Sequence, residues 1–458
     1  MIRKRGASGP AGSVALVLGA VCALTLPFVA KPFHLDDDVY LKGATQIAHE
    51  PLNPLGGTQA ILGQTMPTYH FTQHPPLVSY YIALVRFVTG DVVAWQLHLA
   101  FLPFALLAAV GMLVLARRFT TEPTLATLML VATPAFLVAS LGLMTDMPFL
   151  GLSLTAAAVW IRGVDRSHPG LLFLAGGLLG LTCLVQYRGL LLVPLVLSYV
   201  LLHRQRPGLA LAALSPAAVL LGLWSVWNWA QLGVAHLLDA AGWIPFTPER
   251  LLRDGLAYVS FLGGATVFPP LVLWIGRRRL ANPWFGTVVA ILLVLVAVRW
   301  APDHVGAARW LLLVFLTTGA AMLWCIVPTG ELVRRCVDSF REPSGGGGQR
   351  ARDQVFLVTM AGAALASQIV LNLFASVRSL LLALPFLILL LMRSVEDEPP
   401  RRSGTRRWWL HYGLAGTLAL GVAVSLADMR LALAQRDLAR AVNRDVGHGA
   451  RVWFTGEW

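Results

Sequence analysis

The sequence predicts an all-α integral membrane protein, and three features of the chain support this fold class. The 458 residues are 57% hydrophobic and only 13% charged, whereas soluble domains are about a quarter charged. Apolar runs recur from residue 11 to residue 427, and the basic residues fall in short clusters between them. We therefore expect one polytopic membrane domain over residues 1–427, followed by a short tail over residues 428–458.

Each predicted membrane span is an apolar run close to the length that a helix needs to cross a bilayer. The first run follows MIRKRG without a small-residue cleavage site, which indicates a retained helix rather than a signal peptide. An odd number of spans places the two termini on opposite sides. The chain contains thirteen such runs, at 11–30, 92–116, 123–143, 147–162, 170–187, 190–202, 209–231, 255–276, 284–299, 310–327, 354–375, 379–392 and 408–427.

The distribution of Lys and Arg predicts the orientation of these spans. With a cytoplasmic amino terminus, the inside loops carry 22 of the 36 basic residues, and the outside loops carry nine. This asymmetry follows the positive-inside rule. It explains the net charge of +13 without nucleic-acid binding, and a basic inner face suits anionic lipids. We expect a multi-pass protein of the inner (plasma) membrane with an extracytoplasmic carboxyl terminus.

The first outside loop, residues 31–91, is long and rich in Pro, Gly, His and Asp. Long ordered loops usually carry function. Its segment 76–90 is apolar but too short to span a bilayer comfortably, and it contains Arg86. These properties predict a helix that lies along the outer membrane interface.

An acidic cluster in this loop, Asp36-Asp37-Asp38, follows the first span by a few residues. Three adjacent carboxylates repel one another, which favours either a raised pKa or a bound cation. The cluster therefore predicts a functional site, with Asp37 and Asp38 as candidate ligands of a divalent metal ion. A solvated cap for a helix that begins near Val39 explains the same residues, and the cluster alone leaves both interpretations open.

Four further positions could contribute to a site, and each also has a structural explanation. His74 precedes two prolines and could be an interface residue, and Asp146 could cap a helix. Arg188 and Arg378 stand at the outer edges of apolar runs and could extend to lipid headgroups. However, ionisable residues near a membrane cavity are functional candidates, and a guanidinium is a preferred partner of phosphate oxygen.

The order of the motifs resembles the GT-C superfamily of polyprenyl-phosphate-sugar glycosyltransferases. The nearest branch contains the dolichyl-phosphate-mannose protein mannosyltransferases and the lipid A aminoarabinose transferase. The resemblance covers nearly the whole chain and depends on the order, spacing and sidedness of the motifs together. These motifs are an acidic pair with Tyr after the first span, then HPPLVSYY, TDMP, YRGLLLVP and RSLLLALP.

The resemblance implies roles for individual residues. The acidic pair of the family precedes a Tyr by four and three residues, so counting back from Tyr40 assigns Asp36 as general base and Asp37 as its catalytic neighbour. Asp38 is additional to that pattern, and Ser379 replaces the Tyr that commonly follows the family's Arg. We expect substrate contacts from Tyr40, His74, Tyr81, Asp146, Arg188 and Arg378.

The implied reaction is sugar transfer from a polyprenyl-phosphate donor to a hydroxyl of a lipid, glycan or protein acceptor outside the cytoplasm. Asp36 would accept the hydroxyl proton, and Arg188, Arg378 or a divalent cation would stabilise the leaving phosphate. The alternative is a transporter or flippase for a polyprenyl-linked substrate, with acidic residues as coupling groups. The acidic cluster lies in an outside loop and not at the bilayer midplane, which favours the transferase.

Overall fold

The computed structural model describes residues 10–61, 64–90, 93–203, 207–242, 244–266, 280–299, 308–326, 334, 337–338, 346–372, 375–396 and 403–446. The first half of the described chain contains α1 Pro10–Thr25, α2 Asp37–His49, β1 Thr58–Ile61, β2 Gln64–Pro67, α3 Thr68–Phe71, α4 Leu77–Thr89, α5 Ala94–Phe119, α6 Pro123–Val131, α7 Pro134–Ala139, α8 Asp146–Asp165, α9 Pro169–Val185 and α10 Leu192–Leu202.

The second half continues with α11 Pro207–Ala212, α12 Ser215–Leu232, α13 His236–Gly242, α14 Pro248–Gly264, α15 Pro283–Arg299, α16 Ala308–Ile326, α17 Gly346–Leu371, α18 Leu384–Glu396 and α19 Ser403–Asp445. Short 3₁₀ turns occur at Leu26–Phe28, Tyr187–Leu191 and Val377–Leu382. The predicted all-α class is confirmed. Within the described residues, β1 and β2 form one antiparallel hairpin, in which Thr58 pairs with Pro67 and Ile61 with Gln64.

The helices are apolar enough for a multi-pass membrane protein, but the predicted count of thirteen spans is not confirmed. Helix occupies all or part of every predicted run. By length and composition, six helical segments of the described chain could cross a membrane, and the orientation stays a prediction. These segments are Ala11–Phe28, Ala94–Phe119, Asp146–Asp165, Pro207–Leu232, Gly348–Leu371 and Trp408–Asp445.

Small residues allow the central helices α5 and α8 to approach each other closely. A Cβ at Gly151 of α8 would stand 2.8 Å from the backbone oxygen of Phe104 in α5. A Cβ at Gly111 of α5 would stand 3.0 Å from the backbone carbon of Leu154 in α8. Glycines at such contacts let helix backbones pack tightly where lipid supplies no hydrophobic driving force. The two helices therefore pack with their backbones in direct contact at Gly111 and Gly151.

The predicted span 123–143 is wrong as a single helix, because the chain breaks between α6 and α7. Pro134 has no N–H to continue the helix, and the Thr133 side chain caps α7 by accepting a hydrogen bond from the Phe136 N–H at 3.3 Å. After α7, turns carry the chain from Ser140 to Thr145. This break brings the segment before α8 against residues 31–91, the loop predicted to lie outside and called the outer loop below, where the Leu143 N–H donates to Asp37 at 2.8 Å.

The carboxyl-terminal helix α19 runs for 43 residues without interruption. The predicted boundary at 427 therefore falls inside a helix, and the predicted tail 428–458 begins as helix. Its last residues, 447–458, lie outside the described residues. The apolar run ends at Asp428, but Ala, Leu, Arg and Gln dominate the following residues and are strong helix formers.

A polar network joins the helix ends that lie opposite the outer loop. The buried carboxylate of Asp353 in α17 accepts hydrogen bonds from Arg118 at 3.0 and 3.1 Å and from His203 at 3.0 Å. Arg118 also donates to Asp165 at 2.7 Å. Charges with partners on several helices fix the relative positions of those helices.

Candidate functional site

A cavity of about 470 Å³ lies between the outer loop and the helix bundle. Its walls come from α2, the 68–76 segment, the start of α8, the 3₁₀ turn at Tyr187–Leu191, α13, and residues 371–372 and 376–379. Polar groups stand among Leu, Ile, Phe and Pro side chains in these walls. Six of the predicted site residues line the cavity, namely Asp36, Tyr40, His74, Asp146, Arg188 and Arg378.

Arg378 connects two carboxylates that are distant in sequence. Its Nη2 donates to Asp36 Oδ2 at 3.1 Å, and its Nε stands 3.8 Å from Asp146 Oδ2. The Asp36 side chain is 45% exposed and the Asp146 side chain only 15%. Asp36 is therefore the carboxylate of this group that is more accessible to a substrate. The Arg378 guanidinium orients the Asp36 carboxylate and leaves it accessible from the cavity.

Local backbone geometry turns Asp36 towards the cavity. Leu35 adopts a positive φ of 52°, a conformation that costs a non-glycine residue energy and often marks functional segments. Asp36 then occupies the N-cap position of α2, which begins at Asp37. Its side chain makes no capping hydrogen bond to α2. The carboxylate is thus available to Arg378 and to the cavity.

Asp37 and Asp38 face away from the cavity in different environments. Asp37 is 1% exposed and accepts hydrogen bonds from the backbone N–H groups of Leu143 at 2.8 Å and His34 at 3.1 Å. Burial alone would raise the pKa of Asp37, but hydrogen bonds from the His34 side chain and from these N–H groups outweigh it and lower the pKa. Asp38 is exposed and pairs with Lys42 at 2.8 Å.

These separate partners do not fit the predicted divalent-metal site. The Asp37 oxygens accept bonds from protein donors, and the Asp38 carboxylate is paired with an ammonium group. Across the part of the chain that the structure describes, no group of three or more His, Cys, Asp or Glu residues could hold a metal ion. We therefore derive no step through a metal and reassign Asp37 to holding the outer loop against the turn before α8.

Arg188 lies elsewhere in the same cavity and is held by neutral groups. Its Nη1 donates to Gln368 Oε1 at 2.5 Å and to Asn372 Oδ1 at 2.8 Å. The Asn372 amide donates in turn to the Tyr258 hydroxyl at 2.7 Å. Amide oxygens orient a guanidinium without cancelling its charge. The sequence analysis missed Gln368 and Asn372, although polar residues one helical turn apart in an apolar run are a recognisable signal.

Tyr40 and His74 contribute neutral polar groups to the walls. The Tyr40 hydroxyl is 3.4 Å from Thr145 Oγ1, and burial raises the pKa of Tyr40 to about 12. Burial, together with the nearby charge of Arg188, lowers the pKa of His74 to about 3. Both side chains are therefore uncharged at neutral pH. They can exchange hydrogen bonds with a ligand but add no charge to the cavity walls.

Tyr81 lies outside the cavity lining and anchors α4. Its hydroxyl donates to the Ala100 carbonyl at 2.6 Å, and its ring packs edge-on against Phe101 and Phe104 with centroids 5.6 and 5.0 Å apart. The hydroxyl and the ring of Tyr81 therefore both have partners within the protein. We reassign Tyr81 from substrate contact to attachment of α4, whose predicted helix at 76–90 is present as Leu77–Thr89.

The depressed pKa of His74 predicts how stability depends on pH. The folded pKa is about 3 and the unfolded value 6.5, so below pH 6.5 the unfolded chain binds a proton that the folded chain excludes. Stability should therefore fall as the pH falls from about 6.5 towards 3. At pH 5, proton binding by His74 in the unfolded chain should lower the free energy of unfolding by about 1–2 kcal/mol. In thermal unfolding, His74→Gln should lose less stability between pH 7 and pH 5 than the wild type, and equal losses would contradict the neutral His74.

Part of the chain is similar to a known protein family. Residues 73–229 match the model described as dolichyl-phosphate-mannose-protein mannosyltransferase. No curated protein sequence matches the chain significantly. The matched region includes the HPP segment, the start of α8 and the 3₁₀ turn that carries Arg188. It therefore contributes to three walls of the cavity.

Two solved structures share the fold at low sequence identity. ArnT from Cupriavidus metallidurans, bound to undecaprenyl phosphate, is 16% identical with a TM-score of 0.50, over 94% of this chain and 72% of ArnT. The oligosaccharyltransferase of Archaeoglobus fulgidus, in complex with Zn and sulfate, is 13% identical with a TM-score of 0.52. That match covers 90% of this chain but only 53% of the oligosaccharyltransferase. Together with the family match, the shared fold confirms the predicted resemblance to the GT-C glycosyltransferase superfamily, and the apolar helices are those of a multi-pass membrane protein.

Proposed function

We propose that the protein transfers a sugar from a polyprenyl-phosphate donor to an acceptor hydroxyl in this cavity. The observation that carries the proposal is the pairing of Asp36 with Arg378 at 3.1 Å in a cavity that also contains Arg188. A carboxylate and two guanidinium groups provide a proton acceptor and phosphate-binding cations. ArnT, which shares the fold, binds undecaprenyl phosphate, and this supports a donor of the same class.

In the proposed reaction, the acceptor hydroxyl attacks the anomeric carbon of the donor sugar. Asp36 accepts the hydroxyl proton as the new glycosidic bond forms, which contributes about 10²–10⁴-fold to the rate. The bond between the anomeric carbon and the phosphate oxygen breaks, and its electrons leave with the polyprenyl phosphate. The products are the glycosylated acceptor, polyprenyl phosphate and a proton that Asp36 returns to solvent.

The cations of the cavity stabilise the leaving phosphate. Arg188 is oriented by amide oxygens and retains its charge for a ligand, while Arg378 is shared between Asp36 and Asp146. A guanidinium placed before the reaction at the site of developing negative charge lowers the barrier. A bound phosphate would also favour protonation of His74, which then adds a hydrogen bond. The proposal thus assigns phosphate binding to this chain's own side chains.

The apolar part of the walls suits the lipid portion of the donor. Leu190, Leu191, Leu237 and Ile244 line the cavity beside its polar groups. The nearby helix α4 exposes Leu84, Phe87 and Val88, with Phe87 88% exposed. A polyprenyl chain could therefore pass from the membrane interface towards the phosphate-binding groups. If the outer loop has its predicted orientation, the proposed reaction occurs outside the cytoplasm, and the proposed acceptor is a lipid, glycan or protein.

The test is bond cleavage by the purified protein in proteoliposomes. Undecaprenyl phosphates that carry a radiolabelled hexose or pentose serve as donors, and candidate acceptors of each class are added in turn. We expect release of undecaprenyl phosphate and appearance of label on an acceptor. Movement of intact labelled donor across the membrane, without cleavage, would instead support the transporter alternative and overturn the proposal.

A further inference from the structure

A chain of buried charges links the carboxyl-terminal helix to the outer loop. Lys31 is fully buried, and its Nζ is 2.8 Å from Asp428 Oδ2 in α19. The other oxygen of Asp428 accepts a hydrogen bond from His34 Nε2 at 2.9 Å. One carboxylate from α19 therefore holds two cationic or potentially cationic residues of the segment that leads into α2. Neither Lys31 nor His34 lines the cavity.

The series of buried contacts continues from His34 to the candidate site. The His34 backbone N–H donates to Asp37 Oδ2 at 3.1 Å, and the Nδ1 atom of its ring stands 3.7 Å from the same oxygen. Asp37 Oδ1 accepts from the Leu143 N–H at 2.8 Å. Asp36 lies between His34 and α2, while Met144 and Asp146 follow Leu143. The buried contacts thus end beside Asp36 and beside Asp146, the two carboxylates that Arg378 contacts.

We propose that Asp428 is a positioning residue for the active site, which fixes the turn carrying Asp36 through Lys31 and His34. The term active site rests on the function proposed above, whereas the mechanical link rests on the contacts alone. A displacement of a reacting group by about 1 Å can cost roughly 10²-fold in rate. The carboxyl-terminal helix therefore completes the site although no part of it lines the cavity.

The three side chains of this link are almost inaccessible to water, so no other group can readily replace Asp428. Lys31 and His34 have side chains 1% and 5% exposed, and the Asp428 side chain is 10% exposed. His98 of α5 approaches the same region and donates its Nδ1–H to the Val29 carbonyl at 3.0 Å. Water cannot easily replace Asp428 there, so its loss leaves a buried ammonium without its partner. Asp437, farther along α19, is 63% exposed and pairs with Arg436 at 3.2 Å.

The main variant is Asp428→Asn, with Asp437→Asn as the matched control on the same helix. We expect kcat for sugar transfer to fall roughly 10–10²-fold in Asp428→Asn. The KM for the donor should change less than kcat, because the phosphate-binding Arg188 is held by Gln368 and Asn372 and not by the Asp428 contacts. Asp428→Glu should recover part of the loss, since it retains the charge. The Asp437→Asn control should behave as the wild type.

A double variant separates positioning from folding. Lys31→Met with Asp428→Leu removes both charges, so no unpaired ammonium remains to destabilise the fold, but His34 still lacks its acceptor. We expect a near-normal melting temperature and a kcat that stays low. Full recovery of kcat in this double variant would show that Asp428 only stabilises the fold, and it would overturn the proposal.

Hydrogen–deuterium exchange tests the link without any enzymatic assay. In Asp428→Asn, backbone amides in residues 34–49 and 141–146 should exchange faster than in the wild type and in Asp437→Asn. Unchanged exchange together with unchanged kcat would overturn the inference. If the wild type releases no polyprenyl phosphate, the proposed function fails, and exchange still decides whether Asp428 positions the outer loop.

Discussion

Replacement of Asp36 by Asn is expected to lower kcat for sugar transfer by about 10²–10⁴-fold, the contribution of a positioned general base. Asn has nearly the same shape and can still accept a hydrogen bond from Arg378, but it cannot take the acceptor proton. The KM for the donor should change little, because the proposed phosphate contacts lie on Arg188 and Arg378. The measurement is release of polyprenyl phosphate from a radiolabelled donor in proteoliposomes.

The adjacent acidic residue provides the control for this experiment. Asp38 is exposed, pairs with Lys42 and does not line the cavity, so Asp38→Asn should retain wild-type kcat. The two variants remove the same charge two positions apart. Equal activities of Asp36→Asn and the wild type would remove Asp36 as the base. Asp146, the second carboxylate beside Arg378, would then become the candidate.

Replacement of Arg188 by Gln is expected to lower kcat by about 10²–10³-fold, as does the loss of one preorganised group at a developing negative charge. The substitution keeps a hydrogen-bond donor near Gln368 and Asn372 but removes the positive charge. Binding of the donor should also weaken, because its phosphate carries charge before the reaction. Turnover and equilibrium binding of undecaprenyl phosphate measure the two effects separately.

Two further substitutions distinguish charge from general disruption. Arg188→Lys restores the charge without the planar guanidinium and should recover only part of the activity. Arg86→Gln removes a charge from the exposed face of α4, where Arg86 donates to Thr45 at 2.7 Å, and should leave turnover unchanged. If Arg188→Gln binds undecaprenyl phosphate as tightly as the wild type, the phosphate contact lies elsewhere in the cavity.

Several residues that line the candidate cavity could be predicted from the sequence because their signals are local. A charged group next to an apolar run is visible without knowledge of its neighbours, as at Asp36, Asp146, Arg188 and Arg378. The three adjacent Asp residues could not be distinguished in this way. Their roles depend on which direction each side chain takes where α2 begins, and that direction is set by Leu35 and by the N–H of Leu143.

Helix boundaries show the same limit. The run 123–143 has a high mean hydropathy throughout, so hydropathy alone cannot show that Pro134 and the Thr133 cap divide it into α6 and α7. The end of the last apolar run at 427 likewise marks a change of polarity and not the end of a helix, since α19 continues to Asp445. In both places the backbone conformation follows from caps and helix propensity, whereas the prediction followed hydrophobicity.

By itself, the sequence determined that this is an all-α, multi-pass membrane protein with a polar outer loop, because composition and charge spacing along the chain are enough to specify these properties. Only the tertiary structure decided that Asp36, not Asp37 or Asp38, faces the cavity, that Gln368 and Asn372 orient Arg188, and that Asp428 reaches the outer loop. These pairings join residues up to 397 positions apart. Hydrogen bonds and ion pairs act over a few ångströms in space, and no local pattern in a chain specifies which distant groups will meet.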